Sequence, residues 1–338
     1  MRNLILLVIP MMFFFSCSRV QTLNLQPHEY GIFPGKIVWL QIAGLGEEHL
    51  ALLRFAYPES GQLTAFEKMS CSGKAWSYNL FELRPDAASG FLSQTVGKSN
   101  IKGTCEDFKR KPVWSYFTEA GYYAGIYEGE MTDKDRFLNS VRCQDASGFL
   151  KDAVVWEEKR GPADDVFFFS TEYKRPQIPG RIYYDETCKK DKCRPSILKN
   201  VISLFGQFQQ EKSKYIFIVR DFSYAKALSE RKITNANDIL SEIEKILGFF
   251  LDRAREDETM LVLVTSSAAR NVEFPKKGKD WAEFEKNGSH VIFRETSLLS
   301  PVFAKGPRAE NFCGYFEEAQ VFARLINGPE SINGFMGR

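Results

Sequence analysis

Histidine is scarce in this chain, three among 338 residues, whereas sites that hold catalytic zinc draw heavily on imidazole. The cysteines do not fall into the successive closely spaced pairs of a zinc knot, so composition alone gives a metal site little support. An excess of one charge is also missing. Lys and Arg number 45 against 43 Asp and Glu, a net charge of +2, which gives no electrostatic reason to expect nucleic acid as a partner. Beyond the first residues no apolar segment reaches the roughly 20 residues that span a bilayer. Ser266 and Ser267 lack the Gly-x-Ser-x-Gly elbow of a serine hydrolase. The turn Ala43-Gly44-Leu45-Gly46 lacks the third glycine of a dinucleotide fingerprint, although its glycines suit a phosphate cradle at a helix start.

What is present begins at the N-terminus. Arg2 supplies one positive charge, and Leu4 to Phe15 run apolar with Pro10 as the only interruption. A charged start, a short apolar stretch and a small residue before the cut make an export signal. Ser16-Cys17 resembles a lipobox, whose cysteine takes a diacylglycerol before cleavage. Residues 1–16 are therefore expected to be a lipoprotein signal peptide, with Cys17 the lipidated, palmitate-bearing first residue of the mature chain. Residues 17–35 carry Gln, Asn, Pro and Gly without periodicity, as a flexible tether does. Residues 36–338 are expected to form a single domain in the cell envelope, attached to a membrane through that lipid on its periplasmic or outer-membrane side.

A hydrophobic share of 44% and an aromatic share of 14% are enough to bury one large core or two modest ones. Six cysteines remain once Cys17 is set aside: Cys71, Cys105, Cys143, Cys188, Cys193 and Cys313. An even count in an exported chain favours disulfides. Cys188 and Cys193 are close enough in sequence to pair; the others leave several connectivities open.

Strands and helices alternate. Lys36 to Ile42 is a continuous apolar strand running into a glycine turn, after which Glu48 to Phe55 reads as a helix. Residues 115–121 read as a helix ending at Gly121, followed by a strand from Tyr123 to Tyr127. Val166 to Ser170, Tyr215 to Val219 and Met260 to Thr265 are further buried strands. Between the last two, Ile239, Ile243, Ile246, Leu247 and Phe250 recur at helical spacing, with Glu242, Glu244 and Lys245 on other faces and N-caps offered by Thr234 to Asp238. The pattern implies a three-layer α/β/α sandwich around a mostly parallel sheet. Ligands of such sheets bind beyond the carboxyl ends of the strands.

Segments in that region, taken in order, resemble the alkaline phosphatase family. Lys36 to His49 is similar to its first strand and metal-binding turn, and Pro85 to Gly103 to its nucleophile segment. Thr118 to Gly125 is similar to the helix-strand turn that follows. Phe217 to Ile243 and Leu261 to Ala268 resemble its metal-bearing segments. Thr296 to Gly314, with Pro-Val-Phe-Ala-Lys-Gly-Pro inside it, resembles the closing segment. The resemblance covers roughly residues 36–328 and implies that fold, with zinc and magnesium as cofactors and phosphomonoester hydrolysis as the activity.

The departures alter the implied function. By this resemblance the first metal Asp falls on Ala43 and the nucleophilic Ser on Ala87. The magnesium Glu falls on Arg220, and the next zinc Asp and His fall near Ala225 and Ser229. The strand-end Asp and His fall on Ser267 and Ala268, and the last His on Glu295. A methyl group neither attacks phosphorus nor binds zinc, and a guanidinium repels a divalent cation from its own place. A catalytically inactive pseudoenzyme with a binding or scaffolding role is therefore expected, without cofactor. Asp86, Lys98, Arg220 and Asp221 are candidates for a residual anion or partner pocket, with an internal pair between Arg220 and Asp86, Asp221 or Glu295 as the simpler outcome. An active hydrolase of phosphate or sulfate esters using relocated residues, with His49 beside Glu47 and Glu48 as acid or base, is the alternative; zinc and magnesium would then return. A protein partner in the envelope is the remaining class. Cys17→Ser is expected to abolish incorporation of labelled palmitate and to leave uncleaved precursor; labelling that survives the substitution contradicts the lipoprotein reading.

Overall fold

A computed structural model describes residues 33–326 apart from 57–61, 78, 80, 130–134, 144–147, 163–166, 170–176, 189–192, 194–195, 210–212 and 277. The signal peptide, Cys17 and most of the tether lie outside the described residues. Twelve strands occur among them: β1 (Lys36–Ala43), β2 (Cys71–Trp76), β3 (Tyr123–Glu128), β4 (Ala153–Glu157), β5 (Phe167–Phe169), β6 (Ile182–Asp185), β7 (Tyr215–Asp221), β8 (Met260–Ser267), β9 (Arg270–Glu273), β10 (Ile292–Thr296), β11 (Leu299–Lys305) and β12 (Gly314–Glu317). Ten form one sheet in the order β12-β2-β11-β8-β1-β7-β3-β4-β6-β5, and β9 pairs with β10 in a separate ribbon. Only β11 runs antiparallel to its neighbours in the large sheet. The sheet is thus mostly parallel, as the continuous apolar runs of β1, β7 and β8 require when both faces are covered.

Eight helices supply the cover: α1 (Leu50–Ala56), α2 (Ala87–Val96), α3 (Val113–Glu119), α4 (Ile197–Gln209), α5 (Ser223–Ser229), α6 (Ile233–Glu256), α7 (Lys279–Asn287) and α8 (Gln320–Ile326). Side chains alternate along each strand, and the core divides accordingly. Val38, Leu40, Phe217 and Val219 face the layer of α1, α4, α5 and α6. Ile37, Trp39, Ile216 and Ile218 face α2, α3 and α8. Two sequence expectations need correction on the first face. Thr234 to Asp238 lies within α6, which starts one residue after Lys232, so those residues are not caps. Glu244 is not solvated: it is buried and accepts the Ala65 backbone N–H, tying the α1 side of the domain to α6.

Three cysteine pairs stand at disulfide distance, Cys71–Cys313, Cys105–Cys143 and the expected Cys188–Cys193, with Cα separations of 5.3, 5.5 and 4.0 Å. The first stitches β2 to the start of β12. Residues 33–35 pack on the domain rather than swinging as a tether. The Tyr122 hydroxyl donates to the Pro34 carbonyl at 2.5 Å, and Arg308 lies 4.2 Å from the Phe33 ring centre.

Glu318, just past β12, is only 2% exposed. Ser77 Oγ donates to it at 2.8 Å and Gln94 Nε2 reaches it at 3.5 Å, but no cation stands among these partners. Burial pushes its carboxyl up to about 7, against the weaker pull of the hydroxyl and amide donors. The folded state therefore holds a proton that the unfolded chain releases near pH 4.5. The sign follows: this group's contribution to stability is intact below that value, declines as pH rises to about 7, and stays lost above. In urea titrations the wild type should lose about 3 kcal/mol between about pH 5 and pH 8 that Glu318→Gln does not; matching pH profiles would contradict the buried-acid assignment.

Candidate functional site

The carboxyl edge of the sheet gathers most of the positions that the family resemblance singles out. Ala43 ends β1, Ala87 begins α2, Ala225 lies in α5 and Ala268 follows β8; all four meet in one apolar cluster with Phe91 and Phe222. The two phenyl rings stand edge to face, 5.6 Å apart. Gly44 makes the packing possible. Its φ of +78° is a left-handed conformation, and a Cβ there would sit 3.0 Å from Ala225. Ala268 adopts φ +49°, a strained value for alanine, at the same edge. Ser267 is paired in register with Ala43 and fully buried. Its hydroxyl lies beneath Gly90 of α2, where the Glu318 carboxylate also reaches, and it joins Ser77 and Gln94 in drawing that carboxyl's pKa down against burial.

One row deeper, a polar line crosses five adjacent strands. Thr265 of β8, Gln41 of β1, Arg220 of β7, Glu128 of β3 and Glu157 of β4 are register partners in turn, so their side chains share one face of the sheet. Arg220 is fully buried and all its nitrogens donate: Nε to Gln41 Oε1 at 3.2 Å, Nη2 to the Asp135 carbonyl at 3.2 Å, and Nη1 to Glu128. Its guanidinium lies 3.4 Å from the centre of the Phe137 ring. Arg136 forms a second buried pair with Glu157. Burial pushes the Glu128 carboxyl up, but the Arg220 charge overrides it and holds the group below its ordinary value. Burial and the Glu128 charge push Glu157 well above its own. Among the described residues neither Glu128 Oε2 nor Glu157 Oε1 has another donor, and the opposite shifts of the two carboxyls go with the hydrogen bond between them. At the other end of the row, Thr265 Oγ1 donates to Gln94 Oε1 at 2.7 Å, and the Trp39 indole donates to Thr265 at 2.9 Å.

The remaining expected positions are more dispersed. Ser229 is exposed at the end of α5, donating to the Lys226 carbonyl at 2.7 Å. Glu295 is exposed on β10 and pairs with Arg84, not with Arg220. Asp86 caps α2, accepting the Ser89 N–H at 2.8 Å. Lys98 lies beyond the other end of that ten-residue helix, about 15 Å away, so it does not join Asp86 in one pocket. Asp221 points to the face opposite Arg220 and accepts from Ser223 N at 3.0 Å and Ser223 Oγ at 2.8 Å. Arg220 is therefore neutralised by Glu128, a partner absent from the sequence expectation. The glycine turn is no phosphate cradle either: Gly44 N–H donates to the Ser267 carbonyl at 2.9 Å and Gly46 N–H to His49 Nδ1 at 3.1 Å. His49 is fully buried, and desolvation lowers its pKa to about 4, so it is neutral at physiological pH and sealed from any substrate. Ser266 is likewise buried, donating to the Leu45 carbonyl at 2.8 Å.

A pair of divalent cations does not fit this edge. Methyl and phenyl groups offer no lone pairs, and the row behind them already holds the Arg220 guanidinium, with Arg136 paired to Glu157 at its end. One group of ligating type occurs elsewhere among the described residues, Asp185 with Cys188 and Cys193, their ligand atoms within 4.8 Å of one another. Its sulfurs are bonded to each other, while Asp185 accepts from Thr187 N at 2.8 Å and Asn200 Nδ2 at 3.2 Å. Beside the apolar cluster opens a cleft of about 400 Å³. Leu92, Ile101, Phe108 and Phe137 give it an apolar lining; Asp86, Ser89, Asn139 and Arg142 bring polar groups to it, and the Cys105–Cys143 bridge forms part of its wall. That size and mixture suit a small ligand or an inserted side chain.

No protein-family profile matches the chain and no curated protein does. Solved structures do. It is similar to the alkaline phosphatase of the Antarctic bacterium TAB5, at 16% identity and TM-score 0.65, over 88% of this chain and 98% of that one. A cold-active alkaline phosphatase from the psychrophile Shewanella sp. matches with 13% identity and TM-score 0.68, over 86% and 98%. The Thermus thermophilus alkaline phosphatase matches with 11% identity and TM-score 0.69, over 88% and 91%. At such identities the likeness is one of architecture, and this chain has the alkaline phosphatase-like α/β fold.

Proposed function

We propose that this domain is a catalytically inactive relative of the phosphatases whose fold it has, serving as a binding or scaffolding module held at the cell envelope through a lipid on Cys17. The observation that carries the reading is the apolar cluster of Ala43, Ala87, Ala225 and Ala268, closed by Phe91 and Phe222 where the strands end. Phosphoryl transfer at such an edge needs an oxygen nucleophile and charges that stabilise the attacking and leaving oxygens. Alkyl groups provide neither, and Arg220 is committed to Glu128. Relocated hydrolase machinery finds no support in His49, Ser266 or Ser267, each fully buried.

Three disulfide pairs suit a chain that matures in an oxidising compartment. Among the described residues no helix is long and apolar enough to cross a membrane; the attachment in this reading is the N-terminal lipid. The cleft beside the cluster is the place for a ligand or for a side chain of an envelope protein partner. The test combines elemental analysis with phosphomonoesterase, phosphodiesterase and sulfatase assays on protein dialysed against zinc and magnesium. Neither stoichiometric metal nor turnover above buffer is expected; one or more zinc ions per chain together with turnover would overturn the proposal.

A further inference from the structure

The helix that walls the cleft rests on an acid. Asp86, Ala88, Ser89 and Leu92, at the start of α2, all line the cleft. Directly beneath this helix, the Glu318 carboxyl lies against Gly90: a Cβ at that position would fall 2.6 Å from Glu318 Oε2. The missing side chain is what admits the carboxyl, and the contact leaves no space for water between acid and helix backbone. Glu318 is pinned through its own backbone, its N–H donating to the Trp76 carbonyl at 3.2 Å and its carbonyl accepting from Val321 N at 3.1 Å. Ser77, which donates to Glu318 Oε1 at 2.8 Å, stands 2.9 Å from Ser300 Oγ. The far end of α2 is seated separately, since a Cβ at Gly97 would fall 2.8 Å from the Phe322 ring of α8.

The elements packed around Glu318 bring it no counter-charge. Neither α2 nor β8 contains an ionisable residue, and Asp86, at the helix start, is itself an acid. Lys74 of β2 pairs with Glu47 at 2.8 Å. Lys305, at the far end of β11, donates to the Lys68 carbonyl at 3.1 Å. Arg324 of α8 donates to the Asn311 carbonyl, and Glu317, the preceding residue, is a second acid. Ser267, Ser77 and Gln94 are neutral donors, and burial outweighs them in pushing the Glu318 carboxyl up to about 7. An ionised Glu318 in this place would be a buried charge without a partner, a state that costs several kcal/mol. Water or a shift of the helix above it is then required.

We propose that Glu318 is a proton-operated latch beneath α2: protonated, it stays under Gly90 and holds the cleft wall in place; ionised, it leaves for water and the first turns of α2 loosen with it. The latch is a property of the fold and holds whether or not the domain is catalytic; that it governs binding rests on the reading of the cleft as the binding place. The test is hydrogen exchange on the full chain, read by mass spectrometry in peptides covering α2 and α6 at about pH 5.5 and about pH 8, corrected for the intrinsic pH dependence of exchange. Wild-type α2 should lose about tenfold or more in protection between the two, as a carboxyl one unit past its titration point requires. At the higher pH it should exchange well ahead of α6, which opens only when the domain unfolds. Glu318→Gln cannot ionise and should keep α2 protected at both. Ser77→Ala removes a donor to the carboxylate and should move the transition to higher pH. Equal protection of α2 and α6 at about pH 8, which is global unfolding, or the same pH response in wild type and Glu318→Gln, overturns the latch.

Discussion

A guanidinium buried in the middle of a parallel sheet must find its counter-charge there, and the neighbourhood of Arg220 is organised by that requirement. Taking such an ion out of water costs several kcal/mol, offset only when geometry and hydrogen bonding are nearly complete. Arg220 reaches that state through Gln41, Glu128 and the Asp135 carbonyl, with the Phe137 ring beneath its plane. Because these partners come from β1, β3 and the segment leading into a 3-10 turn at Phe137–Arg142, the same interaction sets strand register and holds one wall of the cleft. The second pair, Arg136 with Glu157, extends the network to β4.

The apolar cluster and the polar row are complementary solutions to one problem. A sheet edge that is buried must match its polar groups within the protein or fill its space with apolar ones. Here methyl and phenyl groups occupy the outermost layer, and a protein cation neutralises Glu128 in the layer below. Arg220 is neutralised within the sheet by Glu128, and the hydrophobic surface above it is closed by Phe91 against Phe222. What stays open is beside it, in the cleft lined by Phe108.

Much of the framework was legible in the sequence because it is dictated by local pattern. The apolar runs at Lys36, Tyr215 and Met260 announce buried parallel strands, and the spacing of Ile243, Leu247 and Phe250 announces the face of α6. Strand alternation alone would also have excluded a pair between Arg220 and Asp221, which are consecutive and must point to opposite faces. The true partner was harder. Glu128 lies one residue past the strand read as Tyr123 to Tyr127, and its placement beside Arg220 depends on the β3–β7 pairing, which no local signal specifies. Glu244 misled for the related reason that a polar residue on a helix reads as solvated until the Ala65 N–H that it binds is known. The capping role of Asp86 belongs to local chemistry and could have been anticipated from its place before Ala87.

The most direct test of this account is a double-mutant cycle on the central pair, with Arg220→Met, Glu128→Gln and the combination compared by urea unfolding. If the guanidinium is held as a buried internal counter-charge, each single substitution should cost about 3–5 kcal/mol by stranding its partner, and the double variant should recover most of that loss. Additive losses, with no coupling between the two sites, would contradict it.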